Sequence, residues 1–167
     1  MTRGRVLVLV AVVAFVAFWT WALFFAPKAA VNKIGDRTWA ERAEEICAAA
    51  SVDREALADY RELDGDDPAM LAERAAIIDD ATSIVKGALD DVVAVAPSDE
   101  KGQAIVPLWE ADYRRYLEDR RIYADRLRNG EDVPFAETEV EGIPISERVE
   151  SFAGDNEMPA CAPPRDL

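Results

Sequence analysis

One run of residues constrains this chain more than any other: Val6 to Ala26, "VLVLVAVVAFVAFWTWALFFA", in which Thr20 is the only polar side chain. As a helix rising about 1.5 Å per residue, the run crosses the ~30 Å hydrocarbon layer of a bilayer once. Arg3 and Arg5 precede it, and Trp19, Trp21, Phe24 and Phe25 crowd its far end as an interfacial aromatic belt would. A cleaved signal peptide is the rival reading. Its apolar core runs to about 7–15 residues and ends in a small-x-small cut site. Here "APKAA" would place Lys28 at the third position before a cut after Ala30. The expectation is an uncleaved signal-anchor helix over residues 6–26.

Orientation does not follow from the flanking charges, because Lys28, Lys33, Arg37 and Arg42 on one side oppose Arg3 and Arg5 on the other. Long segments also translocate largely regardless of charge. All 33 Asp and Glu residues of the chain lie beyond the apolar run, so that part is more acidic than the overall net charge of −14. Such a surface excludes general nucleic-acid binding, which needs net positive charge on the contact face.

Beyond a tether at 27–37 the pattern is helical. "TWAE" reads as a capping box, Thr38 accepting from the first turn and Glu41 reaching back. Trp39, Ala43, Ile46, Ala50, Leu57 and Tyr60 then keep helical spacing to about Leu63. A second helix starts at Asp67 as N-cap with Pro68 as its first residue, and carries Leu71, Ala75, Ile78, Thr82, Val85, Leu89 and Val92 on one stripe. It ends near Val95, before Pro97. Ser98 is the expected cap of a third helix that Pro107 should kink or restart. Trp109, Tyr113, Tyr116, Tyr123 and Leu127 mark its face, and Gly130 closes it in the left-handed conformation. In the remainder, Pro134 and Pro144 forbid helix, and Ser146 to Ala153 reads as one short helix closed by Gly154.

The two cysteines, Cys47 in the first of these helices and Cys161 in "MPACAPP", stand in a chain with a translocation signal, which makes one disulfide the expected use. Residues 131–145, extended at about 3.3 Å each, reach the length of a bundle and return the tail to the first helix. That staple places the domain outside the cytoplasm and the N-terminus inside. Two cysteines without any histidine make half a zinc site, and without a C-x-x-C arrangement they are not a redox pair.

The absence of histidine removes Ser-His-Asp and Cys-His catalysis, and no glycine-rich phosphate loop occurs. Asp79-Asp80 and Asp90-Asp91 share one side of the second helix. They read as a solvated face opposite the apolar stripe rather than a cation strip. "YRRYLEDRRIYADRLR" interleaves tyrosines with arginines. Its pairs Glu110–Arg114, Arg114–Glu118, Arg115–Asp119 and Arg121–Asp125 read as a salt-bridged outer face with the tyrosines in the core. That face remains a candidate docking surface for an acidic partner, as does the strap "EDVPFAETEVEGIPI" with Phe135 and Ile143.

The anchor, the helix carrying "RAEEIC" and the late cysteine in "NEMPACAPP" together resemble a group of actinobacterial single-pass, membrane-anchored helical proteins with an extracytoplasmic cysteine pair. The resemblance implies a cell-envelope location and carries no catalytic residue across.

The expected fold is therefore all-α: an N-terminal transmembrane helix followed by an antiparallel three-helix bundle with a C-terminal extended strap and short helix. Its parts are a cytoplasmic tail (1–5), the transmembrane helix (6–26), the tether (27–37), the bundle (38–130) and a disulfide-pinned strap (131–167). The expected function is non-enzymatic: a single-pass plasma-membrane protein, needing no cofactor or metal, whose extracytoplasmic domain docks on another envelope or membrane protein. Arg114, Arg115, Arg121, Phe135 and Ile143 are its candidate contacts, and charge reversal at the three arginines should leave the fold intact. The alternative is a bundle that binds a small apolar ligand or lipid between the second and third helices, where Pro107 opens a gap.

Overall fold

The computed structural model describes residues 3–24 and 30–166 and falls into two units, Met1–Ala30 and Val31–Leu167. In the first, helix α1 spans Arg3–Phe24. Its apolar side chains are exposed all round, from Leu7 at 70% and Phe15 at 64% to Phe24 at 75%. The hydroxyl of Thr20, the one polar side chain of the run, donates to the Val16 carbonyl at 2.8 Å and so satisfies itself within the helix. Among the described residues no helix is long and apolar enough to cross a membrane. Of the expected span, the side chains of Val6 and Leu9 lie outside the described residues. Phe25, Ala26 and Lys28 also lie outside the described residues.

In the second unit, α2 runs Arg37–Glu55. Its N-cap is Asp36, not Thr38: the Asp36 carboxylate accepts from the Trp39 N–H at 2.9 Å, and Thr38 lies inside the first turn. The carboxylate prevails over the capping box because its other oxygen also accepts from the backbone N–H and hydroxyl of Ser98. The helix stops well short of Leu63. Its buried residues, Trp39, Ala40, Ala43 and Cys47, end eight residues before its last, so packing no longer sustains helix beyond Glu55.

Helix α3 (Pro68–Val93) follows its sequence closely: Asp67 caps it, Pro68 opens it, and the expected stripe from Leu71 to Val92 is buried. Helix α4 (Glu100–Arg128) passes through Pro107 without a break. The proline ring leaves the carbonyl of Gln103 without its helical donor. Both residues are exposed, so water can satisfy that carbonyl and no restart is needed. The α4 N-cap is Asp99 rather than Ser98, whose backbone and side chain are committed to Asp36. Gly130 does take the left-handed conformation (φ 79°), with the Glu131 N–H returning to the Arg126 carbonyl.

After α4 the chain forms a minimal hairpin, β1 (Glu139–Val140) paired antiparallel with β2 (Ile143–Pro144). Glu141 and Gly142 both adopt positive φ at its turn, as a primed hairpin turn requires. Helix α5 (Ile145–Asp155) follows and is one turn of backbone longer than the sequence suggests, since Gly154 lies within it. Glu157 (φ 61°) takes the left-handed closing position instead. A 3-10 turn at Pro159–Cys161 brings Cys161 onto α2.

Packing runs α2 to α3, α3 to α4, α4 to α5, and from α5 through the 3-10 turn back to α2. The three-helix bundle is thus a four-sided ring whose fourth wall is the C-terminal segment. Ile145, Val149, Phe152 and Met158 on that wall are at most 4% exposed. At about 1.5–3 kcal/mol of gross apolar burial each, they contribute on the scale of a whole domain's net stability. The segment expected as a strap is a structural wall. The core at its centre is aromatic: Trp109 stacks on Phe152 at 5.1 Å and meets Trp39 and Tyr113 edge-on. A smaller cluster, Leu71, Ala75, Ile78, Ala124 and Leu127, joins α3 to α4 at the other end.

Candidate binding surfaces and cavities

Cys47 and Cys161 form a disulfide, with their Cα atoms 5.1 Å apart and 114 positions between them in sequence. The expected staple is present, and it joins α2 to the fourth wall of the ring. Around it the tail is fastened by tyrosines. Tyr116 donates to the Pro164 carbonyl at 2.6 Å and Tyr113 to the Ala162 carbonyl at 3.3 Å. Burial pushes the pKa of both phenols up, so they stay protonated donors across the accessible pH range.

Near the start of the ring, two aspartates cross-link two helix N-termini. Asp36 caps α2 and holds Ser98, while Asp99 caps α4 through Gly102 and accepts from the N–H groups of Gly35 and Asp36. The N–H and hydroxyl donors from Ser98 and the N–H of Trp39 lower the Asp36 pKa to about 2. A Cβ at Gly102 would stand 2.8 Å from Pro97 Cβ, so glycine is what lets Asp99 fold over the helix end. Residues 32–34 of the expected tether are docked, not loose. Buried Asn156 donates to the Asn32 carbonyl and accepts from the Ile34 N–H.

The candidate docking residues separate into two groups. Arg114 spans from Glu110 to Asp90 of α3, at 2.8 and 2.7 Å, and ties α4 to α3. Arg115 donates to the Thr138 hydroxyl at 2.8 Å and lies 3.6 Å from Asp119, holding the segment before the hairpin. Phe135 is half-buried, edge-on to Tyr116 and Tyr123. These three make contacts within the domain, although the Arg114 and Arg115 side chains are still 39% and 53% exposed. Arg121 has only Glu118 at 4.0 Å with its side chain 40% exposed, and Ile143 is 44% exposed, so these two have the fewest partners within the domain. The anticipated Arg114–Glu118 and Arg121–Asp125 pairs do not form; Asp125 pairs with Arg128.

A cavity of about 180 Å³ lies beside the disulfide, lined by Cys47, Val85, Leu89, Trp109 and Tyr113 among others. It is bounded by α2, α3 and the tail as well as α4, not by the gap expected at Pro107. The indole N–H of Trp109 is buried with no acceptor among the described residues.

Sequence reasoning also missed a buried guanidinium. Arg120 is fully buried in the ring wall, donating to the Thr82 hydroxyl at 3.0 Å and to Asp166 at 2.6 Å. Arg54 holds the other Asp166 oxygen at 2.8 Å. Burial raises the Asp166 pKa, but the Arg120 charge and the hydrogen bonds from Arg120 and Arg54 outweigh it and bring it below the ordinary value. The signal available in the sequence was the helical position of Arg120, on the stripe of Trp109, Tyr113 and Tyr116.

Asp36, Asp59, Asp90, Asp99, Glu157 and Asp166 are all shifted down, so they are ionised at neutral pH and none is poised as a general acid. Among the described residues no group of three or more His, Cys, Asp or Glu side chains could hold a metal ion. Comparison with protein-family models, curated proteins and solved structures gives no match.

Proposed function

We propose that this protein is a non-enzymatic, membrane-anchored interaction module. Residues 6–26 hold it in a bacterial plasma membrane as a single-pass protein with its N-terminus in the cytoplasm. Residues 31–167 form an extracytoplasmic domain that docks on another envelope or membrane protein. The observation that carries this reading is the pairing of α1, a 22-residue helix with apolar side chains exposed on all sides, with a separate unit closed by a buried disulfide. An all-round apolar helix needs a lipid or protein environment, and disulfides persist in oxidising compartments. The docking contacts are Ile143 and Arg121, whose side chains have the fewest partners within the domain.

The test is purification of the tagged chain from its native membrane in mild detergent, followed by mass spectrometry of what is retained. A stoichiometric partner that is lost in Ile143→Asp and Arg121→Glu, with circular dichroism unchanged, supports the module. Retention of the partner by both variants, or a bare monomer, overturns it.

A second reading rests on the cavity beside the disulfide, where Val85, Leu89 and Trp109 face Ser51, Arg54 and Arg165 across mixed walls; with the unpartnered Trp109 N–H these suit a small amphipathic ligand carrying a hydrogen-bond acceptor. Co-purifying ligand in native mass spectrometry, displaced by Ala88→Phe in the cavity wall, distinguishes it.

A further inference from the structure

Buried guanidinium N–H groups without an acceptor are rare, because an unmet donor loses its hydration uncompensated. Two arginines each have one among the described residues, although both make other hydrogen bonds. The Nη2 of Arg120 and the Nε of Arg74 are both buried with no acceptor among the described residues, and both residues line the same cavity. That cavity, of about 550 Å³, lies against α3 and the segment after α2. Arg54 and Arg165 line it as well, so four guanidinium groups converge in a domain that is otherwise strongly acidic. Its remaining wall joins apolar Leu57, Ile77, Ile78 and Ala81 to Tyr60 and the carboxylates of Glu55 and Asp59, the latter 3.5 Å from Arg74. One of the three carboxylates there, that of Asp166, is received by both Arg120 and Arg54 and is still 29% exposed.

We propose that this cavity binds a carboxylate-headed amphiphile, with Asp166 as a built-in competitor for the head. The internal ligand shows the head chemistry. A planar carboxylate accepts from two guanidinium groups at once, and unmet donors remain on Arg120 and Arg74 for a second acceptor. The apolar stretch of the wall, Leu57, Ile77, Ile78 and Ala81, suits a hydrocarbon chain at the other end of the ligand, and a cavity of this size lies within the range of ordinary small-molecule sites. Because Asp166 is on the tail, its carboxylate holds the arginines in place when the ligand is absent and swings out when a better-anchored carboxylate arrives. This site is separate from the docking residues Ile143 and Arg121, so its fate does not decide theirs.

The probe is hexanoate, titrated into the full-length chain in a non-ionic detergent while the arginine Nε–H resonances are followed by NMR. The Arg74 signal is assigned by its loss in Arg74→Gln. Hexanoate is expected to shift that signal saturably, and hexanol is not. Asp166→Ala removes the tethered competitor, so half-saturation should come at a concentration lower by about tenfold or more. Arg165→Gln, at a side chain 80% exposed and therefore without risk to folding, should raise it. Equal response to hexanol, or a half-saturation that Asp166→Ala leaves unchanged, overturns the proposal. Tighter binding of hexyl phosphate than of hexanoate overturns the carboxylate assignment.

Discussion

Replacing both Cys47 and Cys161 by alanine tests how the ring is closed. The disulfide spans 114 positions, so it removes nearly the largest loop the unit could hold in its unfolded state. The chain-entropy relation gives about 16 cal/mol/K for that closure, or about 4.8 kcal/mol at 25 °C. Both residues are at most 8% exposed, and alanine fills the two sites without introducing a polar group, so the entropy of the unfolded chain dominates the change. With an unfolding entropy of about 2.1 cal/mol/K per residue, a unit of this length should lose roughly 15 °C in Tm. The assay is urea unfolding of the purified chain, oxidised and double-alanine, followed by near-UV circular dichroism of the Trp39–Trp109–Phe152 cluster. The expected result is a stability loss of about 3.5–5 kcal/mol with little change in the denaturant slope. A loss below about 1.5 kcal/mol would refute the reasoning, because the unfolded chain would then already hold its tail near α2.

Other consequences are smaller in scope. Pro107→Ala restores a backbone donor beneath the exposed Gln103 carbonyl and should raise stability by about 1–3 kcal/mol, read as a higher urea midpoint. Trp39→Phe breaks the indole N–H bond to the Val95 carbonyl at 2.7 Å, whereas Trp109→Phe removes an N–H that has no partner. The first substitution should therefore cost more than the second by about 1 kcal/mol in the same unfolding assay. Asp36 has a folded pKa of about 2 against an ordinary 3.8, so its contribution is complete above the ordinary value and fades as pH falls from there toward 2. Thermal melts of Asp36→Asn across that window should show a weaker pH dependence than the parent.

What was legible in the sequence followed from local signals. Asp67-Pro68 opens α3, its stripe from Leu71 to Val92 faces the core, and Gly130 ends α4, because each of these features depends on residues within a turn or two. The helix starts at Asp36 and Asp99 were misplaced by one or two residues. Each cap is decided by a partner more than 60 positions away, Ser98 for Asp36 and the Gly35–Asp36 backbone for Asp99. The end of α2 was misjudged because helical spacing to Tyr60 continued after the core had stopped; Tyr60 is 93% exposed. Among the candidate contacts, Arg114 and Arg115 looked like surface charges paired along one helix. Their actual acceptors include Asp90 on α3 and Thr138 beyond α4, which no single-helix pattern contains. Arg120 lies on the buried stripe of α4, but its partners Thr82 and Asp166 are 38 and 46 positions away and no single-helix pattern contains them.

The account stands on one division, with α1 in the membrane and the disulfide-closed unit outside the cytoplasm. A single cysteine placed at Tyr60, 93% exposed on that unit, reads this directly, since the native pair is already bonded. Intact spheroplasts expressing Tyr60→Cys would be treated with a membrane-impermeant maleimide before and after lysis. Labelling of intact spheroplasts, with no further gain on lysis, is the predicted result. Labelling that appears only after lysis would place the unit in the cytoplasm and contradict the proposed orientation.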